Sequence, residues 1–232
     1  MYGFDSDAAP DSEGPEITDF FLNTALFADG DRVNSTPVVF ATLADASGIN
    51  LSQAGIGHNM TIVVDGNIYH GDVSDSYVPD AADPTRGSIK YALPEVTPGE
   101  HKLTLTVWDN ANNSSSASLA FNVGVGLPPT IIDISASATP AVTSTVFSLT
   151  TDRPMSAMSC LWEVFDLNGQ CLWSEQTNEN TDIDSRLQTV WNLEDENGRR
   201  VARGIYIYRA TLSTPEGYTS RASRRIAVTG AE

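Results

Sequence analysis

The sequence predicts an all-β protein made of two consecutive β-sandwich domains, and three features of the 232-residue chain support this fold class. Alternating or β-branched runs recur about every ten residues. Clusters of Gly, Pro, Asn and Asp separate these runs, as turns do in sandwiches. No segment of ordinary helix length shows a 3.6-residue apolar period, although Pro79 to Arg86 favours a short turn.

The first half of the chain contains six predicted strands. The clearest of them runs from His101 to Trp108. Leu103, Leu105 and Val107 point to one side of it and polar residues point to the other, as in a half-buried antiparallel strand. Trp108 falls on the polar side, near the end of the strand. The predicted strands are 17–26, 38–43, 60–64, 88–93, 101–108 and 117–123.

The segment from Gly124 to Pro129 separates two domains. Neither nitrogen of Pro128-Pro129 can donate a hydrogen bond to a sheet, so we expect no strand to cross it. The acidic, proline-containing stretch from Asp5 to Pro15 is typical of the cut end of a longer polypeptide. The sequence therefore predicts a flexible linker at 1–15, a first domain at 16–125 and a second domain at 126–232.

The second half of the chain contains seven predicted strands. They are 131–136, 145–151, 160–166, 170–176, 188–192, 204–213 and 218–228. Seven short strands in about 100 residues are typical of a small immunoglobulin-like sandwich. The sequence thus predicts two consecutive immunoglobulin-like β-sandwich domains.

The last two predicted strands should form a hairpin. The even-numbered side chains from Tyr206 to Leu212 lie on one face of the first strand and the odd-numbered ones on the other, and one face must supply core. In the connecting turn, Pro215 and Gly217 stand at positions that a type I turn favours.

The last predicted strand contains three arginines, Arg221, Arg224 and Arg225, within a span of five residues. They reverse the charge of an otherwise acidic chain locally. Two interpretations stay open. The arginines protect an edge strand against aggregation, or they form a docking surface for an acidic partner or lipopolysaccharide phosphate.

The charge of the chain excludes some function classes. It has 30 acidic and 13 basic side chains, with a formal net charge of −17. This charge repels phosphate backbones, so we expect no nucleic-acid partner. No run approaches the ~18 apolar residues of a membrane helix, so we expect no transmembrane segment, and the first residues do not resemble a signal peptide.

The two cysteines, Cys160 and Cys171, flank a predicted hairpin turn. In any plausible register the residue facing Cys171 is 164 to 166, which leaves Cys160 about 13 Å further along the strand. That separation exceeds the ~7 Å Cα limit for a disulfide. We therefore expect two free thiols, buried as small apolar side chains.

The sequence offers no catalytic or cofactor-binding residues and no metal-binding motif. The three histidines, His58, His70 and His101, lack metal-ligand spacing and lie in the first domain, whereas both cysteines lie in the second. No nucleophile elbow or nucleotide-binding loop occurs. No cofactor is therefore expected.

Two acidic loops could offer oxygen ligands to a hard cation, one with Asp45 and Ser47 and one with Asp109, Asn110 and Asn112. Turn formation in solvated loops is the favoured interpretation of both. A carbohydrate-binding role would need exposed aromatic side chains. Trp162, Trp173 and Trp191 all fall in predicted strands, where packing is favoured over a sugar platform.

The motifs of the first domain resemble a known family. They are Gly14-Pro15-Glu16-Ile17, Asp45 to Asn50 followed by Gly55 to His58, and Pro98 to His101 leading through Trp108-Asp109-Asn110 to Asn112 to Ser115. In this order they resemble the region after the peptidase domain in PorU-type sortases of the Bacteroidetes type IX secretion system, which are related to the gingipain cysteine peptidases.

The second domain resembles the C-terminal sorting-type domain of that family, a small sandwich similar to flagellar-hook scaffold domains. The matching segments are Val164 to Gly169, Val190-Trp191 with Asn197-Gly198, Gly204 to Arg209, and Arg224 to Val228. Two positions depart from the family. Ala138-Thr139-Pro140 stands where Asn-Pro-Phe is frequent, and Asn192-Leu193 stands where Asp-Gly is usual.

The resemblance implies the non-catalytic C-terminal modules of a secreted cysteine peptidase or sortase, whose catalytic Cys and His lie in an upstream domain. It implies a spacer and an outer-membrane docking or sorting domain at the cell surface. The implied partners are outer-membrane components of the secretion machinery and the upstream peptidase domain. The alternative is a structural spacer pair of another secreted hydrolase or adhesin.

Overall fold

The computed structural model describes residues 11–52, 57–70 and 72–229, with the backbone alone at 68–70. The chain divides into two compact units, Met1–Gly124 (unit 1) and Val125–Glu232 (unit 2). Each unit contains two β-sheets, and the fold class is all-β and immunoglobulin-like, as the sequence predicts. Within the described ranges, no helix is long and apolar enough to cross a membrane.

The strands of unit 1 are β1 (Glu16–Leu22), β2 (Arg32–Val33), β3 (Val38–Ala44), β4 (Thr61–Val64), β5 (Asn67–His70), β6 (Tyr77–Pro79), β7 (Arg86–Ala92), β8 (Gly99–Trp108) and β9 (Ser114–Val123). One sheet has the order β1-β3-β7-β6 and the other the order β2-β9-β8-β4-β5. A single-turn 3-10 helix, Ser74–Ser76, precedes β6.

The core of unit 1 is mainly aliphatic. Leu103, Leu105 and Val107 of β8 are fully buried, which confirms the alternation expected for this strand. Trp108 at its end is half-buried. Burial of each such aliphatic side chain contributes about 1.5–3 kcal/mol, so the sheets provide a stable base for the connecting loops.

The strands of unit 2 are β10 (Ile131–Ala136), β11 (Thr145–Thr151), β12 (Ala157–Phe165), β13 (Cys171–Asn180), β14 (Arg186–Trp191), β15 (Gly204–Ser213) and β16 (Thr219–Val228). One sheet has the order β10-β11-β14 and the other the order β13-β12-β15-β16. Strands β13 and β16 are therefore the edges of the larger sheet.

Aromatic side chains dominate the core of unit 2. The Phe147 ring on β11 stacks on Tyr208 with centroids 4.5 Å apart. It also lies 6.2 Å from Trp162 and 5.9 Å from Trp191. All four rings are almost completely buried. The two sheets thus meet at a stacked aromatic cluster.

The closing hairpin of unit 2 forms as predicted. Strands β15 and β16 pair from Gly204 opposite Val228 to Ser213 opposite Thr219. The Gly217 N–H donates to the Thr214 carbonyl at 2.9 Å. The even-numbered face of β15, from Tyr206 to Leu212, supplies the core.

All thirteen predicted segments are strands whose ends shift by a few residues. The prediction missed β2, β5 and β6, which have two to four residues and are too short to show alternation. The expected turn between Pro79 and Arg86 is present. Its Asp80 N–H donates to the Arg86 carbonyl at 2.9 Å, and the Arg86 N–H donates to the Asp83 carbonyl at 3.1 Å.

Part of the predicted linker at 1–15 is packed against unit 1. Pro15 is buried. A Cβ atom at Gly14 would lie 2.6 Å from the Ser114 backbone, so this close approach requires glycine. Residues 1–10 lie outside the described residues.

Candidate functional site

The two cysteines occupy different environments. Phe165 lies opposite Cys171, within the expected register, and both thiols are free. Cys160 is fully buried, and burial raises the pKa of its thiol to about 12. The expectation that Cys171 is buried is wrong, because it begins edge strand β13 and is exposed. Partial burial and then the Glu163 charge raise the pKa of Cys171, which disfavours the nucleophilic thiolate.

The histidines lie in unit 1. The His58 ring stacks on Trp108 with centroids 4.2 Å apart. The side chain of His70 is outside the described residues. The side chain of His101 is only 9% exposed, and its ring lies 5.3 Å from that of Phe121.

His101 contacts a hydrogen-bond acceptor at each ring nitrogen. Nδ1 lies 2.6 Å from Asp65 Oδ2, and Nε2 lies 2.7 Å from the Thr97 carbonyl oxygen. A neutral imidazole has one N–H donor, so both bonds require the imidazolium. Burial lowers the pKa of His101, but its bonds to Asp65 and Thr97 outweigh burial and the pKa is raised. Through these two bonds, His101 connects two loops to β8.

Three carboxylates of unit 1 converge. Oxygen atoms of Asp11, Asp45 and Asp109 lie within 4.8 Å of one another, and Asp109 is fully buried. Carboxylate oxygens are the ligands that hard cations prefer. The sequence pointed to Asp45 and Asp109, but it missed Asp11, which falls in the predicted linker.

The two loop carboxylates also serve the turns that contain them. Asp45 Oδ1 accepts hydrogen bonds from the Ser47 N–H at 2.8 Å and hydroxyl at 2.7 Å. Asp109 accepts them from the Asn113 N–H at 2.7 Å and side-chain amide at 2.8 Å. The Asn110 amide donates to the Ser47 carbonyl at 2.9 Å. This pattern is the turn chemistry that the sequence favoured.

The three arginines predicted as docking residues do not share one face. Arg224 projects to the inner side of β16, where it binds Asp133 of β10 at 2.7 Å. Arg221 and Arg225 lie on the outer face of the same sheet, because they pair with Thr211 and Ile207. Both are exposed, and within the described part of the chain neither side chain has a hydrogen bond or ion pair.

The same outer face contains an ion pair that packs against an aromatic ring, together with apolar side chains. Arg209 binds Glu163 through two hydrogen bonds of 2.8 and 2.9 Å. Its guanidinium lies 4.5 Å from the centroid of the Phe165 ring. Phe165 is opposite Ile207, and Ile205 nearby is 51% exposed. The face therefore combines apolar contact area with the two unpaired guanidinium groups of Arg221 and Arg225.

Comparison with solved structures shows similarity to a segment of a longer protein. No protein-family model matches the chain, and no curated protein matches it. The chain is similar over 100% of its length to 22% of the chain of dimeric latent PorU from Porphyromonas gingivalis, with 28% identity and a TM-score of 0.55. It thus spans about a fifth of that protein.

Two further structures are more distant. The fibronectin(III)-like modules of Clostridium thermocellum CbhA align over 94% of this chain and 95% of theirs, with 11% identity and a TM-score of 0.30. The tandem Ig repeats of Dlar align over 95% and 100%, with 11% identity and a TM-score of 0.34. Over its whole length, the chain is similar to a segment of PorU.

Proposed function

We propose that the chain is the non-catalytic C-terminal part of a secreted cell-surface cysteine peptidase or sortase of type IX secretion. Unit 1 serves as a spacer, and unit 2 serves as the outer-membrane docking or sorting domain. The observation that carries this proposal is the full-length similarity to a segment of PorU. The order of the sequence motifs that resemble PorU-type sortases supports it independently.

The thiol chemistry of unit 2 supports a non-catalytic role. A cysteine peptidase needs a thiolate beside a base that activates it. Cys160 has a pKa raised to about 12, and the pKa of Cys171 is also raised. The isolated chain should therefore show no peptidase or transpeptidase activity. Turnover of a sorting-domain peptide that is abolished by Cys160→Ala or Cys171→Ala would contradict this.

The docking role can be tested in the parent protein. The parent should remain with the outer membrane, whereas a version that ends at residue 125 should be released into the medium. Peptidase activity of the released protein would show that the upstream part still folds. Equal retention of both versions would overturn the docking role of unit 2.

The competing function is that of a structural spacer pair in another secreted hydrolase or adhesin. Immunoglobulin-like sandwiches serve many unrelated proteins, so the fold alone does not decide between these functions. The sequence encoded upstream of residue 1 decides between the two functions. A gingipain-like peptidase domain is expected there, and a different domain would favour the competing function.

A further inference from the structure

We propose that the outer face of the β13-β12-β15-β16 sheet, centred on Phe165, Ile205, Ile207, Arg221 and Arg225, docks onto an acidic protein surface. We name these five residues the arginine face. The proposal rests on the docking role of unit 2 and specifies its surface and the chemistry of its partner.

The register places these side chains together. Phe165 lies opposite Ile207 on the neighbouring strand, and Ile207 lies opposite Arg225 on the strand beyond. Arg221 lies four residues from Arg225 along β16, or about 13 Å. The inner face of the same strands carries the core. On the solvent side of the sheet, Arg225 therefore lies beside the apolar row and Arg221 lies further along the same edge strand.

Some arginines of this sheet are paired with carboxylates and others are not, and the unpaired ones indicate a partner. Arg209 is neutralised by Glu163 through a two-pronged bond, and Arg224 is neutralised by Asp133 on the inner side. Arg221 and Arg225 have no carboxylate partner in the described structure, although the chain has 30 acidic side chains. Arginine beside exposed aliphatic and aromatic side chains is the composition enriched in protein interfaces.

The charge balance favours a protein over a lipid surface. An anionic membrane attracts basic side chains only within about a Debye length of its surface. Only two unpaired arginines of the described residues lie on this face, fewer than the roughly four to eight basic side chains that indicate binding to an anionic lipid surface. An acidic protein surface can instead pair two carboxylates directly with the guanidinium groups and cover the apolar row.

The face can be tested with the full 232-residue chain and isolated outer membranes of the source cells. Arg221→Gln with Arg225→Gln should weaken co-sedimentation about tenfold. Ile205→Thr should weaken it several-fold, because it removes apolar area but keeps a β-branched residue. The chain should not bind membranes whose surface proteins have been removed by protease, nor vesicles of phosphatidylglycerol and phosphatidylcholine.

Two arginines of the same unit provide matched controls. Arg186 is exposed on β14 of the other sheet, and Arg224 is on the inner side of β16. Arg186→Gln and Arg224→Gln should leave co-sedimentation unchanged. An unchanged far-ultraviolet spectrum and melting temperature would show that the double variant of the arginine face is folded.

Several results would overturn the proposal. Normal binding by the folded double variant would exclude the arginine face, and increased light scattering of that variant would then indicate edge protection. Binding to protease-treated membranes or phosphatidylglycerol vesicles would identify a lipid phosphate as the partner. Absence of binding by the unmodified chain would also overturn it. If the parent truncated at residue 125 is still released while the double variant binds normally, only the arginine face fails and the docking role of unit 2 stands.

Discussion

The two units have similar folds but different cores. In unit 1, Phe121 is the one aromatic residue among the buried core side chains of the described residues, and Leu, Val, Ile, Ala41 and Met60 fill the rest. In unit 2, Phe147, Trp162, Trp191, Tyr206 and Tyr208 are buried together. Aliphatic packing spreads stability over many small contacts, whereas the aromatic cluster concentrates it at Phe147.

The two units also differ in their charged residues. Unit 1 contains 17 of the 30 acidic and 4 of the 13 basic residues, and its carboxylates often accept hydrogen bonds within turns. Unit 2 contains the remaining 13 acidic and 9 basic residues, all nine of them arginine. Arginine binds carboxylates through two parallel bonds, so unit 2 can form directed ion pairs. Its surface is consequently the better candidate for specific docking.

The largest expected effect tests the difference between the cores. Phe147→Leu should lower the free energy of unfolding of unit 2 by about 2–3 kcal/mol, because ring pairs contribute about 0.5–1.5 kcal/mol each beyond burial. Phe121→Leu should cost unit 1 about 1 kcal/mol, since its aromatic contact is with His101. Chemical denaturation, monitored separately in each unit by hydrogen exchange, measures both losses in the free energy of unfolding. Equal losses would refute the concentration of stability at Phe147.

Much of this fold follows from the sequence, because β-strand alternation is a local property. Alternation located β8 and both faces of β15, and the turn residues fixed the closing hairpin. The same alternation places Arg224 on the opposite face of β16 from Arg221 and Arg225, so the three predicted docking residues do not act as one group.

The functional contacts depend on tertiary structure. Asp11 meets Asp45 and Asp109 only after the loops converge. The acceptors of His101 come from 36 residues upstream and from a backbone carbonyl, which leaves no side-chain signature. No local pattern in the sequence could therefore show that Asp11 joins the two acidic loops or that His101 has two acceptors.

A second prediction compares two ion pairs of unit 2. Arg209→Gln should lower stability by about 2 kcal/mol, because it leaves the Glu163 side chain, only 13% exposed, without its cation. Arg224→Gln should cost less than about 0.5 kcal/mol, since its pair with Asp133 is about half exposed on both sides. Thermal unfolding of both variants, with a double-mutant cycle to Glu163→Gln, measures the difference. Similar losses would mean that the buried pair contributes no more than the exposed one.

The smallest expected effect is a dependence of the stability of unit 1 on pH. The ion pair between His101 and Asp65, with both His101 bonds made, forms only while both groups are charged. The raised pKa of His101 makes its contribution complete below the ordinary value of 6.5 and lost as the pH rises through the raised value. The lowered pKa of Asp65, caused first by its bond to His101, makes the contribution complete above 3.8 and lost as the pH falls through the lowered value.

Unit 1 should therefore gain about 1 kcal/mol from this pair between pH 3.8 and 6.5 and lose it at higher pH. A neutral His101 keeps one N–H, so either Asp65 or the Thr97 carbonyl loses its donor. Exchange protection of the Val96 amide, which donates to the Ser35 carbonyl in the adjoining loop at 2.7 Å, should fall with that loss. Asp65→Asn is the matched control, because asparagine tolerates the φ of 50° at this position and can still accept the Lys102 N–H. In this variant the protection of Val96, corrected for intrinsic exchange, should vary little between pH 5 and 8. A pH dependence as steep as that of the unmodified chain would show that another group controls this loop.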